Sequence, residues 1–262
     1  MAQFISLYSG SSGNCSVILC EGKYLLVDMG KSNRITVTAL KQLGLALADC
    51  QGILVTHEHS DHVNGLKVFL RQNRIPVYGS AETLDALNYM GILSEDNEGR
   101  ALRRAPEDIG DFVVEMFPTS HDVPCVGYRV TSRDGKVMAM ATDLGMLTPT
   151  VHKAMSGCDL VVLEANYDPY MLAIGPYPYY LKKRIESSRG HLSNDECAAK
   201  VLELVQEGCR NIALCHLSQE NNTPDRIKET IAVTLKTAQV ELEPGVVIRP
   251  LRRNEISPPM EY

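Results

Sequence analysis

A histidine-rich loop, HEHSDH at residues 57–62, holds the residues of this sequence that are best suited to chemistry. It directly follows a short apolar run that is typical of a buried strand. Imidazole and carboxylate groups are the ligands that borderline divalent ions such as zinc take. Alternate residues of an extended segment point the same way, so His57 and His59 can bind one ion, while Asp61 and His62 can reach a second. The loop therefore predicts a metal site at the end of a strand.

A two-ion site needs more ligands than one loop supplies, and four other polar residues lie just beyond predicted strands. These residues are Asp28, His121, Asp143 and His216. Side chains at strand ends can converge on one rim of a sheet, which is a usual place for a site in α/β folds. His152 falls within a predicted helix with no ligand set near it, so we interpret it as an ordinary helical residue.

Hydrophobic periodicity predicts the elements that position these residues. The chain opens with three short strands in an antiparallel meander, Gln3–Tyr8, Cys15–Cys20 and Tyr24–Asp28. Later strands are predicted at Gly52–Val55, Ile75–Tyr78, Val113–Phe117, Val126–Thr131, Lys136–Ala141, Leu160–Leu163, Asn211–Cys215 and Val246–Arg249. Helices are predicted at Ile35–Leu43, Val63–Leu70 and Glu82–Met90, and after the capping residues Thr148, Ser193 and Thr223.

Two segments, 92–108 and 165–190, are predicted to be irregular, and a polar tail follows the last strand. No break in composition marks a boundary, so we expect one α/β domain over residues 1–262, with two sheets covered by helices.

Composition narrows the class of protein. The 262 residues are 44% hydrophobic, and no apolar run approaches the ~20 residues of a membrane span. The amino terminus lacks the features of a secretory signal, so a cytoplasmic protein without a membrane partner is expected. Eight scattered cysteines without a CxxC pair are then expected to be reduced and mostly buried. The net charge of −6 gives no global attraction to nucleic acid but allows a local basic patch.

The ordered ligand types resemble those of the metallo-β-lactamase fold superfamily of hydrolases, and the resemblance covers nearly the whole chain. It is carried by HEHSDH after a strand, Asp28 in LLVDMG, His121, Asp143 in ATDLG and His216. It implies an αββα sandwich, two mixed sheets flanked by helices, with a two-ion site at one edge. The implied ligands are His57, His59 and His121 for one ion, Asp61, His62 and His216 for the other, and Asp143 between them. Asp28 would brace the metal loop.

Two paired segments, GHLSN at residues 190–194 and CHLS at 215–218, resemble the nuclease branch of that superfamily. The segments SGSSGNC, LKKRIESSRGHLSN and CHLSQENNTP resemble more closely the YycJ/WalJ group of bacterial proteins. That group is associated with 5′-to-3′ exonuclease activity on double-stranded DNA. The resemblance therefore implies a nucleic acid substrate, most simply DNA, and two divalent ions, zinc or manganese.

The chemistry expected of such a site is attack of an ion-bridging hydroxide on phosphorus. His191 is the candidate general acid or phosphate donor, and Glu164 could orient it; with Asp61 they are the catalytic candidates. Candidate substrate contacts are Ser11, Ser12 and Asn14 in a Gly-flanked turn, and Arg184 with Lys182, Lys183 and Arg189. The irregular segment carries five tyrosines: Tyr167, Tyr170, Tyr177, Tyr179 and Tyr180. Their rings could stack bases, but we favour the interpretation that they pack the segment itself.

Two other functions stay open. The same site could serve a small-molecule hydrolase for thioesters, lactones or cyclic phosphodiesters, which the negative charge favours slightly and GHLSN disfavours. A metal-stabilised binding module without catalysis is the other, and a complete ligand set argues against it.

Overall fold

Fourteen strands form two mixed sheets in the computed structural model, which describes residues 1–94 and 97–262. The strands of the first sheet, numbered along the chain, are β1 (Gln3–Tyr8), β2 (Cys15–Cys20), β3 (Lys23–Val27), β4 (Cys50–Leu54), β5 (Val77–Gly79), β6 (Gly99–Ala101) and β14 (Met260–Glu261). Those of the second sheet are β7 (Glu107–Ile109), β8 (Phe112–Thr119), β9 (Cys125–Ser132), β10 (Val137–Ala141), β11 (Leu160–Glu164), β12 (Asn211–Cys215) and β13 (Val247–Pro250).

Each sheet joins an antiparallel part to a parallel part. The first has the order β14-β1-β2-β3-β4-β5-β6, antiparallel from β14 to β3 and parallel from β3 to β6. The second has the order β13-β12-β11-β10-β9-β8-β7, parallel from β13 to β10 and antiparallel from β10 to β7. Within each sheet, parallel strands therefore end at a common edge, where side chains that follow them can meet.

Nine α-helices lie within the described ranges, and most of them cover the outer faces of the sheets. They are α1 (Asn33–Gln42), α2 (Ser60–Val63), α3 (Leu66–Leu70), α4 (Ala81–Tyr89), α5 (Pro149–Met155), α6 (Pro169–Ile174), α7 (Tyr179–Ile185), α8 (Asn194–Gln206) and α9 (Pro224–Thr237). One apolar cluster fills the space between the sheets, a second packs α1, α3 and α4 on the first sheet, and a third packs α5, α8 and α9 on the second. This is the αββα sandwich that the sequence predicts.

Three helices begin at the predicted capping residues. The Thr148 side chain accepts a hydrogen bond from the backbone of Val151, and Thr223 does the same for Arg226. Ser193 and Glu196 form a capping box at the start of α8. A side-chain oxygen at this position satisfies an amide that has no partner within the helix.

Three predictions about elements were wrong, and the pairing of the tail was not predicted. The segment 92–108 contains β6 and β7, and the segment 165–190 contains α6 and α7; Glu95 and Asp96 lie outside the described residues. The helix predicted at Val63–Leu70 is instead two helices with Gly65 between them, where a Cβ atom would collide with the Lys31 carbonyl oxygen. The tail pairs with β1 as β14. Short edge strands are held by pairing rather than by an apolar alternation, so the sequence pattern does not indicate them.

The expectation of reduced, buried thiols is confirmed, because all eight cysteines are free and buried. Within the described ranges, no helix combines the length and the apolar character that a membrane span requires.

Candidate metal centre and active site

The loops after five strands bring the predicted ligands to one edge of the sandwich. Asp28 follows β3, the HEHSDH loop follows β4, and the others follow β8, β10 and β12: His121, Asp143 and His216. Asp28, Asp143 and His216 have left-handed backbones, with φ of 61°, 55° and 54°. This conformation is costly for a residue other than glycine and often marks a functional site.

The first ligand set is His57, His59 and His121, whose ligating atoms lie within 4.8 Å of one another. Nε2 of His57 is buried and has no hydrogen-bond partner among the described residues. Nδ1 of His121 donates to the carbonyl oxygen of Gly190 at 3.1 Å, which leaves its Nε2 as the lone-pair nitrogen. Buried ring nitrogens without a protein partner are what a bound cation would satisfy.

The second ligand set is Asp61, His62 and His216, which meets the same distance limit of 4.8 Å. Oδ2 of Asp61 lies 3.5 Å from Nε2 of His62 and 3.4 Å from Nε2 of His216. One carboxylate and two imidazoles are a typical donor set for zinc or manganese.

Asp143 lies between the two sets. Its Oδ2 is 3.2 Å from Nε2 of His62, and its Oδ1 is 4.0 Å from Nε2 of His121. Both oxygens are almost inaccessible to solvent, since the side chain is 3% exposed. The placement suits a carboxylate shared by two ions.

Asp28 and Thr56 fix the orientation of the metal loop through hydrogen bonds. The Asp28 carboxylate accepts hydrogen bonds from Nδ1 of His62 at 2.8 Å and from the Thr56 backbone amide at 2.8 Å. The Thr56 hydroxyl bonds to the same carboxylate at 2.9 Å. A carboxylate on the distal ring nitrogen sets the tautomer and raises the basicity of the ligating one.

Glu164 holds two histidines at once. Its Oε1 accepts from Nδ1 of His191 at 2.8 Å and from Nδ1 of His216 at 2.9 Å, and its Oε2 accepts from the backbone amide of Leu144 at 2.9 Å. The residue is fully buried. The orientation of His191 was predicted, whereas the contact with His216 was not, because sequence spacing cannot show a three-body contact.

The electrostatics of the site separate the histidines into two groups. Burial, followed by the neighbouring His62, lowers the pKa of His57 well below its usual value, so its ring is neutral and ready to bind a cation. Burial alone would also lower the pKa of His62 and of His216. Neighbouring carboxylates outweigh burial and raise the pKa of each ring. Asp28 and Asp143 act on His62, and Asp143 above all acts on His216, whose pKa reaches about 10.

A cleft of about 180 Å³ opens beside the ligands. Ser11, His191 and Arg184 line it, while Ser12 is exposed on the same turn. Asn14 is instead buried, and its side-chain amide lies 3.3 Å from Oδ2 of Asp61 and 3.0 Å from Nε2 of His62. The structure therefore places Asn14 as a support of the second ligand set rather than at the substrate surface.

The basic run beside the cleft has protein partners. Lys183 pairs with Glu186 at 2.9 Å, Arg184 pairs with Asp122, and Arg189 donates to the backbone carbonyl oxygens of residues 121 and 122. Arg184 nevertheless remains 60% exposed at the cleft.

The tyrosines of this region divide into two groups. Tyr167 and Tyr177 pack on the apolar cluster under α6 and α7, as predicted. The packing prediction is wrong for three others, which expose 65–76% of their surface: Tyr170, Tyr179 and Tyr180. Tyr170 stands on α6, and the other two stand on α7, whose last turn also carries the lysines of the basic run.

Sequence reasoning missed two polar residues at the site. Asp122 lies against the first ligand set, 3.2 Å from Nε2 of His121. The side chain of Asn166 donates to the backbone carbonyl oxygen of His216 at 2.9 Å and so supports its left-handed conformation. The position of Asp122 directly after His121 is a signal that could have been used.

The donor set fits divalent ions, so removing them should destabilise the fold. A ligand present at 100 times its Kd stabilises the folded protein by about 2.7 kcal/mol. For a chain of this length, loss of that stabilisation on chelation should lower Tm by about 5 °C or more. Because binding must displace the protons held on His62 and His216, the effect of metal on Tm should be larger at pH 8 than at pH 6. Thermal unfolding with zinc and with a chelator tests this; a fall in Tm on chelation that is the same at pH 6 and at pH 8 would contradict it.

Three comparisons place the chain among known proteins. Residues 24–216 match the family described as beta-lactamase superfamily domain. The chain is 34% identical to exodeoxyribonuclease YycJ of Bacillus anthracis over 89% of each chain, and 33% identical to exodeoxyribonuclease WalJ of Streptococcus pneumoniae over 92% of this chain and 90% of that one. The solved metallo-beta-lactamase fold protein YhfI from Bacillus subtilis aligns with a TM-score of 0.71 over 98% of this chain and 99% of that chain, at 15% identity. That last likeness concerns the fold alone.

Proposed function

The chain belongs to the β-lactamase superfamily, in the group of the exodeoxyribonucleases YycJ and WalJ, and is a metal-dependent hydrolase; from that premise we propose that it degrades double-stranded DNA from the 5′ end. The observation that carries the proposal is the identity to two curated exodeoxyribonucleases along most of both chains, together with a two-ion ligand set. Its cytoplasmic location remains a prediction.

Seven side chains would hold two divalent ions, zinc or manganese. One ion would be held by His57, His59 and His121, the other by Asp61, His62 and His216, with Asp143 shared. When bound, two such ions lower the pKa of water and stabilise the charge that develops on a phosphoryl group.

His191 is the residue of this chain that would handle a proton. Glu164 binds its Nδ1 at 2.8 Å, so Nε2 is the nitrogen left to meet the substrate. Burial opposes the charged ring, but Glu164 outweighs it and raises the pKa of His191 above its usual value. A protonated His191 can donate to the leaving 3′-oxygen or to a phosphate oxygen, as a general acid does.

Nucleic acid suits the surface beside the cleft. The exposed rings of Tyr179 and Tyr180 lie next to Lys183, whose Nζ is 5.7 Å from the centre of the Tyr179 ring. Aromatic rings that stack bases and cations that meet phosphates are the usual parts of a surface for single-stranded or frayed ends. Ser11 and Arg184 line the cleft, where they would meet the phosphate itself.

An assay with labelled polymers tests the proposal. Duplex DNA carrying a label at the 5′ end or at the 3′ end is incubated with the metal-loaded protein, beside matched RNA and a panel of thioesters, lactones and cyclic phosphodiesters. We expect early release of the 5′ label from DNA. Turnover of RNA alone would reassign the polymer, and turnover of the small esters alone would support the small-molecule hydrolase instead.

A further inference from the structure

One carboxylate outside the two ligand sets lies directly against the first of them. Oδ1 of Asp122 is 3.2 Å from Nε2 of His121 and 3.5 Å from Nε2 of His59. This oxygen is buried and makes no hydrogen bond to the described part of the chain, although the side chain as a whole is 30% exposed. A buried carboxylate oxygen without a donor is costly and calls for a physical reason.

The protonation of His121 shows what this oxygen faces. Nδ1 of His121 lies 3.1 Å from the carbonyl oxygen of Gly190, which can only accept a hydrogen bond, so Nδ1 carries the proton. Nε2, the ligating nitrogen of the proposed site, lies 3.2 Å from Oδ1 of Asp122, and this oxygen makes no hydrogen bond to it. Two acceptors at 3.2 Å repel each other unless a positive charge lies between or beside them.

Arg184 holds the Asp122 carboxylate in this orientation, and Arg189 holds the backbone that carries it. Arg184 binds its other oxygen, Oδ2, through two donors of the guanidinium group. Arg189 donates to the backbone carbonyl oxygens of His121 and Asp122, both at 2.9 Å. One carboxylate oxygen therefore meets the arginine and the other is directed at the histidines.

The charges of the two ligand sets explain why such a carboxylate is useful. The second set contains Asp61, whereas the first consists of three imidazoles, and Asp143 lies between the two. Three neutral rings offer no negative charge of their own to a divalent ion in a partly buried site, where an uncompensated charge is expensive. Asp122 would supply that charge.

We propose that Asp122 helps to bind the ion held by His57, His59 and His121, and that Arg184 fixes the direction of its carboxylate. The separation of 3.2 Å between Oδ1 and Nε2 of His121 is close to the spacing of two ligand atoms on one ion, which is about 3.4 Å for tetrahedral zinc. The inference rests on the two-ion site proposed above.

The test is a chelator-competition titration of the purified full-length protein with Zn²⁺, together with the visible spectrum of the Co²⁺ form. We expect Asp122→Asn to weaken one of the two sites by about 10- to 100-fold and to alter the cobalt spectrum. Asp111→Asn is the matched control, because Asp111 is a partly exposed carboxylate paired with Arg133 at 3.2 Å. The control should bind both ions as the parent protein does.

Three further variants decide how Asp122 acts. In a His59→Ala background, which removes the first site, Asp122→Asn should have no additional effect on the remaining ion. Asp122→Glu, which keeps the charge, should restore part of the affinity and also shows that the position tolerates substitution. Wild-type affinity in Asp122→Asn would overturn the proposal. Arg184→Gln should weaken the same site by no more than Asp122→Asn does, since it acts only through the direction of the Asp122 carboxylate; a larger loss would overturn that role of the arginine. A parent protein that binds no ion would instead overturn the proposed function.

Discussion

The Asp143→Asn substitution is expected to reduce kcat/KM for DNA hydrolysis by at least about 10³-fold, which is about 4 kcal/mol of transition-state stabilisation. Among the described residues, Asp143 is the one carboxylate that contacts both ligand sets, through His62 at 3.2 Å and His121 at 4.0 Å. An amide keeps the shape of the side chain but removes the charge that two neighbouring divalent ions share. Initial rates under metal-saturating conditions, with metal content measured on the same samples, give the comparison.

Asp159→Asn is the control for this prediction. Asp159 precedes β11, at the opposite end of that strand from Glu164, and pairs with Lys136 at 2.7 Å. It should keep the parental rate within about threefold, because surface ion pairs contribute little. If Asp143→Asn kept substantial activity with both ions bound, the shared carboxylate would not be part of the site.

His191→Ala should lower the rate of DNA cleavage by about 10²- to 10⁴-fold, the usual contribution of a positioned general acid. Its ring is not in the ligand sets that we propose, so the variant should still bind two ions. Glu164→Gln should also slow the reaction, because a neutral amide cannot stabilise positive charge on the rings of His191 and His216 as the carboxylate does. Cleavage rates over pH 6–9 with metal content measured in parallel separate these effects.

His152→Ala is the matched control, since His152 on α5 contacts Glu203 at 3.1 Å and lies outside the site. It should cleave DNA at the parental rate. A DNA substrate whose leaving oxygen is replaced by sulfur needs no proton from the enzyme, so it should restore much of the rate lost in His191→Ala. A full rate with ordinary DNA in His191→Ala would assign the proton to another group.

The ligand residues could be predicted from the sequence because their types and positions are unusual. A histidine or aspartate directly after an apolar strand is a strong local signal, and Asp28, Asp143 and His216 all stand there. Each of the three adopts a left-handed backbone in the structure, which a strand pattern followed by a polar residue does not reveal. The signal therefore located the residues but not the strained turns that direct them.

The supporting residues could not be predicted, because their roles depend on contacts between distant segments. Asn14 was predicted to meet the substrate, yet the turn that carries it packs under Asp61, with the Asn14 amide bonded to the Asp61 carbonyl oxygen at 2.7 Å. Gly30 lies so close to the same carbonyl that no Cβ atom would fit. Only the packed fold brings these loops together.

The region between residues 165 and 190 shows a different limit. Its many tyrosines and prolines suggested an irregular segment, but Pro169 and Tyr179 begin two short helices. Proline at the first position of a helix is favourable, and that signal was outweighed by the unusual composition. The consequence is functional, since these helices present the exposed tyrosines and Arg184 beside the cleft.

Anomalous diffraction from crystals of the metal-loaded protein tests the central claim most directly. Data collected on both sides of the absorption edge of the bound metal should show two peaks per chain. One should lie within bonding distance of the nitrogens of His57, His59 and His121, the other beside Asp61, His62 and His216, with Asp143 between them. A single peak, or peaks elsewhere on the chain, would contradict the two-ion site and the hydrolysis proposed for it.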